Sequence, residues 1–176
     1  MEQRPNRIIL AFGQDKDFKI FQLGPKKYYR RSELEKLNMY KIEETYYGYH
    51  TTFSGVMSEA EALRFKSEVK TILSSQKQPW SSVVDLQAWI PAGPEILMLL
   101  RHVEQLTKKH GLQRRAVIVR SPVIKAQATQ LSFASETNSY ERRIDASKVD
   151  NWEEQAIAWA AHGVEPVSTF SVVSSD

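Results

Sequence analysis

One phrase, used twice, constrains this chain more than any other feature. Ser82-Val83-Val84-Asp85-Leu86 is a short β-branched run that leads into the turn Pro91-Ala92-Gly93-Pro94 and then into a helical pattern starting near Pro94. Ala116-Val117-Ile118-Val119 leads in the same way through Arg120-Ser121-Pro122 into another. A short apolar run bounded by turn signals reads as a buried strand. A strand that feeds a helix and is followed by another such unit needs parallel pairing and a crossover. The turn after the strand then falls at the carboxyl edge of a sheet, where open α/β sheets place their sites.

The remaining periodicity extends this pattern to four units. Tyr46 to Phe53 is aromatic and threonine-rich and reads as a strand, broken at Gly55. Ser58-Glu59-Ala60-Glu61 is a capping box, and Ala62, Phe65, Val69 and Ile72/Leu73 follow at helical spacing. The second helix turns Ile96, Leu99, Leu100, Val103 and Leu106 inward and closes at Gly111 after Lys108, Lys109 and His110, cations suited to its negative end. Ser121 as cap and Pro122 at the first position open the third helix, which runs to about Phe133. A strand near 141–145 leads to Asn151-Trp152-Glu153-Glu154, a cap-like start for a last helix ending at Gly163. The expected fold is α/β: a mixed, mainly parallel sheet of about four to six strands, covered by helices at about 58–75, 94–110, 121–133 and 151–162.

Residues 1–44 read less regularly. Ile8 to Phe12 and Phe18 to Leu23 suggest a hairpin ended by Gly24-Pro25, and Ser32 to Leu37 suggests a helical turn or two. The expected organisation is an N-terminal extension over 1–44 packed on the sheet edge, a domain over 45–163, and a loosely ordered tail over 164–176.

Charge and composition narrow the function classes. The net charge is +3, and residues 1–44 carry 10 basic and 7 acidic groups against 14 of each in the remainder, so the excess is too small for a nucleic-acid field. The chain has no cysteine, which removes disulfides, thiolate metal sites and a cysteine nucleophile. No apolar run reaches the ~18 residues of a membrane span, and the N-terminus lacks a signal peptide's apolar core. A cytoplasmic protein without membrane insertion is expected.

The order of these motifs resembles the STAS fold, and most closely its SpoIIAA-like branch of small bacterial proteins, the anti-sigma-factor antagonist type. The likeness rests on Gly48 to Gly55, Val83-Val84-Asp85-Leu86, Ala116-Val117-Ile118-Val119, Ser121-Pro122-Val123 and the closing Trp152 to Trp159, and spans roughly residues 45–163. The first 44 residues are then expected to supply an edge strand and an added element. The resemblance implies a non-enzymatic regulatory module that binds a protein or itself, as a dimer for example. Signalling members of the family carry a phosphorylatable serine at the start of the second helix. The corresponding stretch here, Ile90-Pro91-Ala92-Gly93-Pro94-Glu95, has no hydroxyl, so that site does not carry over.

No catalytic constellation emerges. Asp85 ends a strand where an acid can act as a base, but it has no partner base or nucleophile nearby in sequence and reads as bonding local N–H groups. His50, His102, His110 and His162 lack metal spacing. No Gly-rich phosphate loop and no Gly-x-Ser-x-Gly elbow is present. No cofactor is expected. Lys26 to Arg31, basic with two tyrosines, reads as a solvated loop or edge strand, and Arg114-Arg115 as a surface pair before a strand. Trp159 reads as core. The candidate binding surface is the turn at the sheet's carboxyl edge: Asp85, Trp89, Ile90, Pro91, Gly93, Pro94 and Glu95, with Trp89 partly exposed. Its alternative occupant is a small apolar or lipid-like ligand in a cleft near Trp89 and the 134–140 loop.

Overall fold

A computed structural model describes residues 20–22, 28–30, 39–76 and 79–167. Two compact units divide the chain between Asn38 and Met39. In the first, β1 (Ile20–Gln22) pairs antiparallel with β2 (Tyr28–Arg30), Phe21 opposite Tyr29. The expected strand at Ile8 to Phe12 and the helical turn at Ser32 to Leu37 lie outside the described residues.

The second unit holds a five-stranded sheet: β3 (Tyr40–Thr45), β4 (Gly48–Gly55), β5 (Trp80–Trp89), β6 (Leu112–Val119) and β7 (Glu141–Asp145), in that spatial order. β3 pairs antiparallel with β4, and every later pairing is parallel. Four helices complete it: α1 (Glu59–Ser75), α2 (Pro94–Lys109), α3 (Pro122–Ala134) and α4 (Trp152–His162). The mainly parallel α/β fold and its helices therefore lie where the sequence pattern puts them. The edge strand β3 falls mostly in the segment expected to be extension, and β4 starts two residues later than expected, after a turn at Tyr46-Tyr47.

Because each strand's parallel neighbour is the next in sequence, crossovers of one hand place every linking helix on one face. Apolar residues of α1, α2 and α3 accordingly share a core with Phe53, Val84, Leu86, Val117 and Val119. Helix α4 follows the last strand and covers the opposite face, where Ala156, Trp159 and Ala160 meet Val83, Ala116, Ile118 and Ile144. Period-two alternation along β5 and β6 divides the residues between these faces.

Local signals hold unevenly. Ser58 and Glu61 form the complete capping box of α1. Gly163 takes the left-handed conformation (φ 71°) that closes α4. Ser121 and Asn151 occupy the expected cap positions, but their side chains make no cap hydrogen bond; Pro122 and the acids of the first turn of α4 remain as start signals. Gly48 has φ 137° and passes so close to β5 that an added Cβ would stand 2.2 Å from the Ser81 carbonyl oxygen.

Candidate functional site

A cavity of about 100 Å³ lies between the sheet and the helices α1 to α3. An engineered apolar cavity of about 150 Å³ stays dry and binds benzene, and this void has about two-thirds of that volume. Its lining follows β5 from Trp80 to Trp89, and the walls are apolar along most of that length: Phe53, Phe65, Val69, Val84, Leu100 and Val117 among them.

One end is closed by Trp89, which a β-bulge places there. The register of β4 against β5 advances from Thr52–Asp85 to Ser54–Ala88, so β5 carries one extra residue. Ser82, Val84 and Leu86 face α1 to α3 by alternation; without the extra residue Trp89 would face α4. With it, Trp89 pairs with Gly55 and its ring lies 6.1 Å from Phe53. Trp89 is 6% exposed, which corrects its expected place on the surface: β5 continues through it and buries the indole. Its Nε1–H has no hydrogen-bond partner.

The opposite end is polar. Arg115, on the same face as Val117, donates from Nε to Ser82 Oγ (3.1 Å), from Nη1 to Glu104 Oε1 (2.5 Å) and from Nη2 to Thr107 Oγ1 (2.9 Å). Glu104 Oε2 accepts from Ser135 Oγ (2.9 Å) and Thr137 Oγ1 (2.8 Å). Glu141 pairs with Arg115 across the β6–β7 ladder and lines the cavity beside it. Its Oε1 stands 3.0 Å from Arg143 Nε, yet neither atom has an aligned hydrogen bond. Arg143 instead donates from Nη2 to Ser132 Oγ on α3. Burial, and then the neighbouring Glu104, push the Glu141 carboxyl up to about 7 against the pull of the two arginines.

Arg114 and Arg115 are therefore not a surface pair preceding a strand. Both lie inside β6. Arg115 is 4% exposed, and Arg114 on the other face donates to the carbonyls of Ala160 and Ala161 at the end of α4. Their alternation with Ala116 and Val117 carries that signal, since Arg115 shares its parity with Val117 and Val119. Glu104, one turn after Leu100 on the apolar stripe of α2, carries another. Glu141 has no comparable mark in the sequence, because its neighbours Arg115 and Glu104 come from β6 and α2.

The remaining expected site residues do not converge on the cavity. Asp85 lies on the face of Val83, and its carboxylate accepts from Gln87 N (2.9 Å) and Gln87 Nε2 (3.3 Å), the local bonding expected of it. Ile90 is half-buried, and Pro91, Gly93, Pro94 and Glu95 are exposed. Gln127 of α3 holds this turn, accepting from Ala92 N (3.2 Å) and donating to Ala92 O (2.9 Å), and Gln127 also lines the cavity. Among the described residues no cluster of His, Cys, Asp or Glu is arranged to hold a metal ion, and no helix is long and apolar enough to cross a membrane. No family model matches this chain, and no curated protein is significantly similar to it.

Proposed function

We propose that this chain is a non-enzymatic binding module of the SpoIIAA-like kind whose ligand is a small, mainly apolar molecule held between the sheet and helices α1 to α3. The observation that carries this reading is the cavity itself, with an unpartnered indole N–H at one end of an apolar wall. Native cores are packed to crystal-like density, and a buried donor without a partner costs about 1–3 kcal/mol. A bound molecule would fill the void, and one with an acceptor near Trp89 would also satisfy the indole. The output of such a module is the exposed, doubly proline-restricted turn from Ile90 to Glu95, which Gln127 joins to the cavity. That turn supports a second reading, docking of a protein partner or a second copy. It presents the N-terminus of α2, whose cap residue Gly93 offers no side chain.

The test is thermal unfolding of the full chain with and without 1-pentanol or benzyl alcohol, together with native mass spectrometry for a co-purifying small molecule. Ligand that binds only the folded state raises Tm with concentration. Val84→Ile, which adds a methylene to the cavity wall, should blunt that rise. Equal protection of the variant and the parent would place the binding elsewhere and end this reading.

A further inference from the structure

We propose that the polar end of the cavity takes the carboxylate of a small aliphatic or aromatic monocarboxylic acid, and that the anion enters together with one proton carried by Glu141. The proposal rests on the cavity reading above and names the ligand class within it.

The charged groups meeting there come from three elements. Arg115 projects from β6, Glu141 and Arg143 from β7, and Glu104 from α2. Helix α3 adds the hydroxyl of Ser132 and the ammonium of Lys125, which Arg143 repels. The nearby phenol of Tyr140 is held protonated by burial, with its pKa raised. Glu104 is committed to Arg115, Ser135 and Thr137. Glu141 is held less firmly: its one close charged partner is Arg143, whose Nε stands 3.0 Å from Oε1 without an aligned hydrogen bond, and the residue lines the cavity.

The count of charges then selects the ligand. With Glu141 ionised, two arginines face two carboxylates, and an entering anion would leave the cluster with an excess negative charge. With Glu141 protonated, the arginines face Glu104 alone and one buried positive charge is unmatched, a costly state. A monocarboxylate restores neutrality and accepts the hydrogen bond that the Glu141 O–H offers. Its apolar body lies along Val84, Leu100 and Val117. An amine would add a third cation. An alcohol would satisfy Oε1 without changing the charge, and so would bind without a proton. Because burial sets Glu141 near neutrality, taking up that proton costs little at pH 7.

The experiment is calorimetric titration of the full chain with pentanoate and with 1-pentanol at pH 6 and pH 8, in buffers of different ionisation enthalpy to count protons. Pentanoate itself stays ionised across this range. Pentanoate should bind about tenfold more tightly at pH 6 than at pH 8, with uptake approaching one proton at pH 8. Pentanol should show neither effect. Glu141→Gln, which donates a hydrogen bond but cannot titrate, should bind pentanoate independently of pH and without proton uptake. The proton count in the parent protein decides the matter even if that variant does not fold. Pentanol binding with no pentanoate binding, or pentanoate binding with no proton uptake at pH 8, overturns the proposal and leaves the cavity reading standing. Failure of both ligands to bind overturns both.

Discussion

Both faces of the sheet bury tryptophan; Trp80 on the α1–α3 face donates from Nε1 to the His110 carbonyl (2.9 Å), but Trp89 on that face and Trp159 on the other are treated differently. On the α4 face, Trp159 donates from Nε1 to the Arg115 carbonyl (3.0 Å), its ring is covered by the Arg142 guanidinium at 4.2 Å, and Val83, Ala116, Ile118 and Ile144 beneath it are fully buried. On the α1–α3 face, Trp89 is equally buried, but its Nε1–H is unpaired and it borders a void. One face is finished as structure. The other holds room, an unpaired indole donor and a carboxylate, Glu141, whose 3.0 Å ion pair with Arg143 is not aligned as a hydrogen bond, the features that mark a site for something not supplied by the chain.

The largest effect that sharpens this contrast is Trp159→Ala, which should cost about 3–5 kcal/mol by removing a packed aromatic and its hydrogen bond to the Arg115 carbonyl. Urea denaturation measures it, and a loss below about 2 kcal/mol would mean the α4 face is looser than its contacts indicate.

The pH dependence of stability comes next and belongs to the cavity face. Glu141 titrates in the folded state near 7, above its ordinary value of 4.5, so the folded protein binds the proton more tightly than the unfolded chain. That contribution is fully present below about pH 4.5 and is lost as pH rises through 7, an effect of at most about 3 kcal/mol. Asp145, lowered by its bonds from Ser147, and Glu165, lowered by Arg142, act in the opposite sense, and only as pH falls below the ordinary carboxylate range. Urea midpoints between pH 5 and 8 should therefore fall with rising pH in the parent and stay flatter in Glu141→Gln. A parent profile that rises over this range would contradict the assignment.

Smaller substitutions test packing directly. Ala116→Val adds volume beneath α4 where none is free and should destabilise by about 1–3 kcal/mol. Val84→Ile, pointing into the void, should be neutral or stabilising by up to about 1 kcal/mol. Equal costs for the two would erase the distinction between the faces. The smallest difference is expected from Trp89→Phe. Removing an unpaired donor offsets the lost ring area, so the change should stay under about 1 kcal/mol. Trp159→Phe removes a made hydrogen bond to the Arg115 carbonyl and should cost more. Thermal melts of the two variants side by side are enough to rank them.

The amino-acid pattern alone determined the elements and their order. The β-branched runs, the Ser58 capping box, Pro94 and Pro122 at helix starts, and Gly163 at a helix end are local signals, and local physics obeys them. From these, chain connectivity required a mainly parallel sheet. The place of Trp89 at the carboxyl end of β5 was also legible, but not its direction. One extra residue in β5 turns the indole from one face to the other, and a bulge is a matter of register between two strands, which neither strand encodes by itself. The buried arginines and glutamates were hidden for a related reason. Arg115, Glu104 and the Glu141–Arg143 pair lie on three separate elements and each is charged, so burial is marked only by the apolar neighbours of Arg115 and Glu104 and not at all for Glu141. They become a site only when β6, α2 and β7 bring opposite charges together and burial changes what each charge costs. Helix and strand follow from neighbours a few residues away; the cavity and its polar end follow from long-range pairing, and only the tertiary structure decides that.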